Sequence, residues 1–310
     1  MPSRFAGLLW CATFVVLDAA QAVLFGTFLQ SMDSFLLGFI VFGLSSVACL
    51  VTAPLYAPGQ VSIAVRDART LAWLNVCTAS GWVSYLGALQ LIEPAAAFTI
   101  FSGAIPLTLI AAAWLGLREA EPIENAVEFA GNAMIAAGIV LLAIFTLVGW
   151  SGFVRGGVLV GFIGILLSVL SGVMMAGMLL ASYRLNRQGV GPAAMFGLRF
   201  PLYLTVALGG FLLGLDAKEP LPSAELLWAI ALGFLVLAFP IYAVQKAVAL
   251  TSTLTLGTAT ALIPLVVFLM QTAEGRVAYS NATFAGLAVY FAGALLATAG
   301  RLRAVRVQRS

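Results

Sequence analysis

An acid, an amide and several hydroxyls stand inside long apolar runs, where polar groups are costly and each one needs a purpose. Asp18 lies about 12 residues into the run that begins near residue 6, close to mid-depth at a rise of about 1.5 Å per residue. Gln21, three residues on, shares its helical face. An acid there binds an ammonium group or a proton, or partners a buried base and locks helices together. Trp82 and Tyr85 are also three apart, an aromatic face for an apolar or cationic ligand or for packing between helices. Ser171, with Ser168 and Met174, gives a similar face further along. Tyr242 and Lys246 follow Pro240 at i,i+4 spacing. Lys246 either binds a carboxylate or, at a helix end, snorkels to the interface.

Two prolines mark a related pair of segments. A proline inside a helix frees the carbonyl four residues before it. That residue is Ser102 beneath Pro106 and Thr260 beneath Pro264. Each place offers a freed carbonyl and a hydroxyl at one level. Thr99 extends the first polar surface, and Thr255 and Thr258 extend the second. The pair reads as a pseudo-symmetric substrate lining with Pro106 and Pro264 as hinges, or as hydroxyls that only re-satisfy the kinks. Glu93, followed by Pro94, reads as a charge at a helix N-terminus. Arg199 reads as structural, paired with an acid or a carbonyl.

The absences exclude whole classes of chemistry. The chain has no histidine, which removes the commonest metal ligand and any Ser–His pair. There is no GxxxxGK[ST] phosphate loop, so no ATP-driven step resides in this chain. No cofactor, metal or nucleic acid is expected. An enzyme is not expected either; a Ser–Lys dyad using Lys246 is the one formal exception.

These residues must be positioned by helices in lipid. Of the 310 residues, 62% are apolar and 9% charged, with a mean hydropathy of +1.09. A soluble domain carries roughly 25% charged residues. At roughly 20 apolar residues per crossing, the chain has room for about ten spans. They are read at about 6–28, 34–54, 71–91, 94–116, 128–148, 157–181, 192–214, 224–247, 251–271 and 282–300. The first resembles a signal peptide, but Asp18 inside it argues for a retained helix. Lys and Arg are sided: Arg4, Arg66, Arg69, Arg118, Arg184, Arg187, Lys246 and four C-terminal arginines against Arg155, Lys218 and Arg276. That bias puts both termini in the cytoplasm. The basic tail reads as an anchor for anionic membrane lipid.

Residues 88–107 and 246–265 align on Ile-Pro-Leu, and 129–143 matches 284–298 from Phe-Ala-Gly onward. The predicted fold is therefore an all-α integral membrane protein of ten transmembrane helices in two inverted five-helix repeats. The first repeat is residues 1–150, and the second is 151–310 with its basic tail. Inverted halves commonly hold a substrate site between them at the membrane midplane. The expected cavity is lined by spans one, three, four, six, eight and nine, centred between four and nine. Ala133/Ala137, Ala288/Ala292 and Gly293/Ala297 form small-residue faces for close packing, within the fold or in a homodimer.

The segments ALQLIEPAAAFTIFSGAIPLTLIAAAWLGLRE and AVALTSTLTLGTATALIPLVVFL resemble the drug/metabolite transporter superfamily, in its EamA-type ten-helix branch. GPAAMFGLRFPLYL, with Arg199, is similar to that family's entry into span seven. Where the family often has Trp-Gly-Ser in the first span, this chain has Trp10-Cys11-Ala12. The resemblance implies a multi-pass protein of a bacterial inner membrane. It implies export or exchange of a small polar metabolite, amino acid-like or cationic and drug-like, by alternating access, with proton coupling through Asp18 as one mode. Flipping of a lipid-like substrate and a non-transporting membrane receptor are the alternatives.

Overall fold

The computed structural model describes residues 2–56, 59–219, 222–250 and 253–307. Within those, the side chains of 2–5, 54–56, 192, 223, 237–238, 241–242, 244–250, 253–258 and 304–307 lie outside the description. Twelve helices occur among the described residues: α1 (Pro2–Ser31), α2 (Ser34–Tyr56), α3 (Gln60–Arg66), α4 (Ala68–Leu91), α5 (Pro94–Trp114), α6 (Ala126–Val148), α7 (Val158–Arg187), α8 (Pro192–Leu198), α9 (Pro201–Leu212), α10 (Ser223–Leu250), α11 (Thr253–Glu274) and α12 (Asn281–Val307). No strand is found among them, only a single bridge between Ile92 and Val154. Seven helical stretches, in α1, α2, α5, α6, α7, α8–α9 and α12, are long and apolar enough to cross a membrane. Many large apolar side chains on them face outward, among them Leu8, Val51, Phe129, Ile144 and Leu212. This is the surface of a helical multi-pass membrane protein, in which lipid leaves helices to satisfy their own backbones.

Two departures from the sequence reading concern helix ends. The linker after α2 carries a short amphipathic helix, α3, where a loop was expected. The span expected over 192–214 is not continuous: it breaks into α8 and α9. Pro201 is the cause, because it has no N–H and its ring collides with the carbonyl four residues back.

Capping follows local chemistry. Asp33 Oδ1 accepts from the Phe35 and Leu36 amides at 2.8 and 2.9 Å and starts α2. Asn125 caps α6 through the Glu128 amide at 2.9 Å. Gly149, at φ 79°, ends α6 in the left-handed conformation that glycine tolerates.

The α6–α12 pair is the closest approach in the bundle. Gly138 lies against the Tyr290 backbone, where an added Cβ would sit 2.9 Å from the amide nitrogen. Gly293 lies against Ile135, and Gly131 and Gly300 meet the Ala297 and Glu128 backbones. Glycines seven apart on each helix thus make the seam, by the close backbone approach that drives helix association in lipid. Ala133 and Ala137 point outward instead, as do Ala288 and Ala292.

One end of the bundle is tied by two polar hubs, one buried and one partly buried. Glu93, fully buried between α4 and α5, accepts three hydrogen bonds. The Gly152 amide donates at 2.8 Å, Thr283 Oγ1 at 2.7 Å, and the Gln271 amide also donates. Gln271 in turn accepts from the Ala95 amide at 2.9 Å. One carboxylate so joins α5, α11, α12 and the 149–157 loop, a larger part than the N-terminal charge expected of it. The second hub is Lys218. Its ammonium donates to the Leu29 and Met32 carbonyls at the end of α1, 2.6 and 2.9 Å away, and to Gln90 and Asp216 at 3.0 Å. A cation at orphan C-terminal carbonyls is favoured by the helix dipole.

Gly138→Val should lower stability by about 1–3 kcal/mol through overpacking. Ala133→Val, on the outward face, should shift it by under about 0.5 kcal/mol. Thermal unfolding in detergent compares them, and equal midpoints would remove the glycine seam from the fold. Burial raises the Glu93 pKa above its ordinary value, against the pull of its three hydrogen bonds. Its protonated form is thus favoured more in the folded than in the unfolded chain, and its contribution falls as pH rises through the folded pKa. Glu93→Gln should flatten that fall, and Glu93→Ala should cost about 2–3 kcal/mol by orphaning buried donors. Unfolding midpoints measured across the pH range above the ordinary carboxylate value test both.

Candidate functional site

A cavity of about 210 Å³ opens among α1, α2, α4, α5, α7, α8 and α10. Helices supply its walls as pairs of residues three or four apart, the spacing that brings side chains onto one face. From α1 come Phe14, Asp18 and Gln21; from α4, Trp82 and Tyr85; from α5, Phe98 and Phe101. From α7 come Met175 and Met178, and from the end of α8, Phe196 and Arg199. Phe42 and Pro240 complete it. The rings form a continuous set: Phe42 to Trp82 at 4.5 Å between centres, Trp82 to Tyr85 at 5.9 Å, and Tyr85 to Phe101 at 5.0 Å.

The structure therefore brings Asp18, Gln21, Trp82 and Tyr85 into one site. It also places Arg199, expected to pair with an acid or a carbonyl, on the cavity wall. No carboxylate lies within ion-pair distance of Arg199 among the described residues. Its guanidinium rests 4.6 Å from the Phe196 ring centre and 4.9 Å from that of Phe200, and Nη1 reaches Met178 Sδ at 3.5 Å. Its Nε has no hydrogen-bond partner, nor do Trp82 Nε1 and Tyr85 Oη. Asp18 likewise makes no hydrogen bond or ion pair with a described residue. Acid and base share a cavity whose polar edges are unspent.

Arg199 is presented by the break between α8 and α9. Such a break leaves backbone groups without helical partners, and in lipid they must be satisfied by something else. Asn75 of α4 does so from across the bundle. Its Nδ2 donates to the Leu198 carbonyl at 2.9 Å and its Oδ1 accepts from the Leu202 amide at 3.2 Å. Asn75 thus holds the segment that carries Arg199, a role with no local signal in the sequence because its partners are 123 and 127 residues away.

Other expected site residues are spent elsewhere. Thr99 is fully buried and donates to the Ala95 carbonyl of its own helix at 2.5 Å. Ser102 meets Tyr290 of α12 at 3.2 Å. Ser171 donates to the Gly81 carbonyl at 2.8 Å and ties α7 to α4. Thr260 is half-buried and is not among the cavity's lining residues. Pro106 and Pro264 stand inside α5 and α11 as expected, outside the cavity wall. The side chains of Tyr242, Lys246, Thr255 and Thr258 lie outside the described residues. Among the described side chains, spans two and seven supply walls and none of span nine lines the cavity.

Compared with known proteins, the sequence matches no family profile and no curated protein. Its fold is similar to solved structures: one crystal structure matches at TM-score 0.63 and 20% identity, covering 98% of this chain and 99% of its own. The likeness establishes a shared fold along the whole chain. Fold and cavity together define a polytopic helical membrane protein with an internal cavity.

Asn75→Leu should leave the Leu198 carbonyl and the Leu202 amide unpaired, at about 1–3 kcal/mol for each group that lipid cannot satisfy. Hydrogen exchange should then rise locally over 196–203 before global stability fails. Uniform protection in that segment would show that Asn75 does not hold the break.

Proposed function

We propose that the chain is a secondary transporter of the drug/metabolite transporter type, a carrier rather than an enzyme. Its substrate is a small molecule bearing both an ammonium and a carboxylate on an apolar body. The observation that carries this reading is Asp18 and Arg199 lining one aromatic cavity, neither in an ion pair with a described residue. A buried charge is costly unless paired, and a zwitterionic ligand supplies both missing partners at once. Aromatic rings then take up its apolar body. Drug-sized ligands occupy roughly 300–1,000 Å³, so a cavity of about 210 Å³ favours a metabolite over a lipid or a large drug.

In this reading the ten spans are α1, α2, α4, α5, α6, α7, α8–α9, α10, α11 and α12, in two inverted halves divided near residue 150. Helix pairing supports it. Exchange of the halves turns the α1–α10 pair into α7–α4, α5–α7 into α11–α1, α5–α6 into α11–α12, and α4–α9 into α10–α2. The pairs α6–α12, α5–α11 and α2–α8/α9 map onto themselves. The cavity takes α1, α2, α4 and α5 from one half and α7, α8 and α10 from the other, the position expected for a site of alternating access. The lysine and arginine bias puts both termini on the cytoplasmic face of a bacterial inner membrane.

The test uses purified protein and matched ligands: phenylalanine, phenethylamine without the carboxylate, and 3-phenylpropionate without the ammonium. Phenylalanine should raise the unfolding temperature most. Asp18→Asn and Arg199→Gln should each weaken its binding by about 10- to 100-fold, as expected for loss of a charge-assisted hydrogen bond. Both should also stop its uptake into proteoliposomes. Equal responses to all three ligands, or uptake unchanged in both variants, would sink the assignment.

A further inference from the structure

A second polar cleft lies far from the central cavity, at the end of the bundle where the N-terminus of α4 meets the C-terminus of α7. One chamber, of about 380 Å³, is lined by Arg69, Trp73, Leu117, Glu119, Leu180 and Arg184, among others. A second, of about 410 Å³, shares Arg184 and adds Arg66, Asp67 and Gln188. Three arginines thus converge on adjoining spaces.

The two acids there are unequal. Asp67 is already engaged: it accepts from the Thr70 amide at 3.2 Å, from Thr70 Oγ1 at 2.8 Å and from Gln188 Nε2 at 2.9 Å, and pairs with Arg184 Nε at 3.4 Å. Arg184 remains 56% exposed along its side chain, so its terminal nitrogens are open to a ligand. Arg66 and Arg69 are exposed and make no ion pair among the described residues. Glu119 is the one acid lining the larger chamber, and it makes no ion pair with a described residue. The cleft is net positive and holds a carboxylate able to accept from a hydroxyl.

The cleft also borders lipid. Trp73 lines the larger chamber with half of its surface exposed, and Trp114, Leu115 and Leu179 are exposed on the adjoining helix ends. Indoles prefer the depth where headgroups meet acyl chains. A free anion would need only the arginines, whereas a lipid would use both the arginines and this apolar border.

We propose that this cleft binds the headgroup of an anionic phospholipid of the phosphatidylglycerol kind. Arg69 and Arg184 hold the phosphate, Glu119 accepts from the glycerol hydroxyls, and the acyl chains run along the exposed face beside Trp73. The site anchors α4 to α7 at the membrane surface.

The experiment is a titration of delipidated protein in neutral detergent, read by native mass spectrometry, with phosphatidylglycerol and phosphatidylcholine as probes. Phosphatidylglycerol should bind in preference. Arg69→Gln, which removes no ion pair with a described residue, should weaken it about fivefold, the worth of one basic residue at an anionic surface. Arg69→Gln with Arg184→Gln should weaken it further, while Arg303→Gln in the tail should leave it unchanged. Circular dichroism and an unshifted elution volume confirm that each variant is folded. Equal binding of the two lipids, or full retention by the Arg69→Gln variant, overturns the proposal. So does displacement of the lipid by millimolar inorganic phosphate, which would mark a free-phosphate site, or loss of binding on the tail substitution alone.

Discussion

In a solvent that cannot hydrogen-bond, every polar group must find its partner within the protein, and the rest of this structure follows from that constraint. Mid-helix hydroxyls return to their own helix: Thr99 to Ala95, Thr108 to Ala104, Thr146 to Leu142, Ser168 to Gly164. Amides bridge helices, as Asn75 does at the α8–α9 break and Gln271 does beside Glu93. Against so thorough an accounting, groups left without partners are informative. Trp82 Nε1, Tyr85 Oη and Arg199 Nε are three of them and belong to residues around one cavity, while the others, on Ser45, Ser46, Thr78, Ser151 and Arg276, lie outside its lining. The cavity is thus one of the places where the rule that explains the fold is broken.

The rule also sorts the residues legible in the sequence from those that were not. An acid in an apolar run has no cheap local partner, so Asp18 could be read from its depth alone, and Gln21 from its spacing. Trp82 and Tyr85 were legible for the same reason of shared face. Hydroxyls were misleading, because a serine or threonine in a helix always has a carbonyl one turn back. Thr99 is satisfied in that way, and Ser171 by the Gly81 carbonyl across the α4–α7 contact. Their types carried no information about which surface they faced.

Arg199 was read as structural, without its place on the cavity wall. Its place depends on Pro201 breaking the span and on Asn75 holding the broken ends, a relation between distant segments that no local pattern encodes. The ring pairs Phe98/Phe101 and Met175/Met178 did carry a signal, the same three-residue spacing as Trp82/Tyr85. It was hidden because apolar pairs at that spacing occur on every packed helix face. The helical class itself was readable from composition, since few charges and long apolar runs leave a chain no other way to satisfy its backbone.

For the carrier proposed here, the two ends of the bundle are unequal in the cost of opening. At one end Glu93 and Lys218 bind backbone groups from several elements, Glu93 fully buried and Lys218 mostly so. Breaking a buried charged hub costs several kcal/mol, because the groups left behind have no water to turn to. At the other end the ties among the described residues are Arg184 to Asp67 and Arg301 to Glu121, Glu124 and Glu128, with one partner open to solvent in the Arg184–Asp67 and Arg301–Glu121 pairs. Exposed pairs of this kind are worth about 0–1 kcal/mol each, since water replaces what is lost. The halves can thus part at the solvated end at little cost, while the opposite end opens only if the Glu93 and Lys218 partners are exchanged for others. A substrate that neutralises Asp18 and Arg199 together removes the penalty of two unpaired charges inside the bundle, and that energy becomes available for the more expensive exchange.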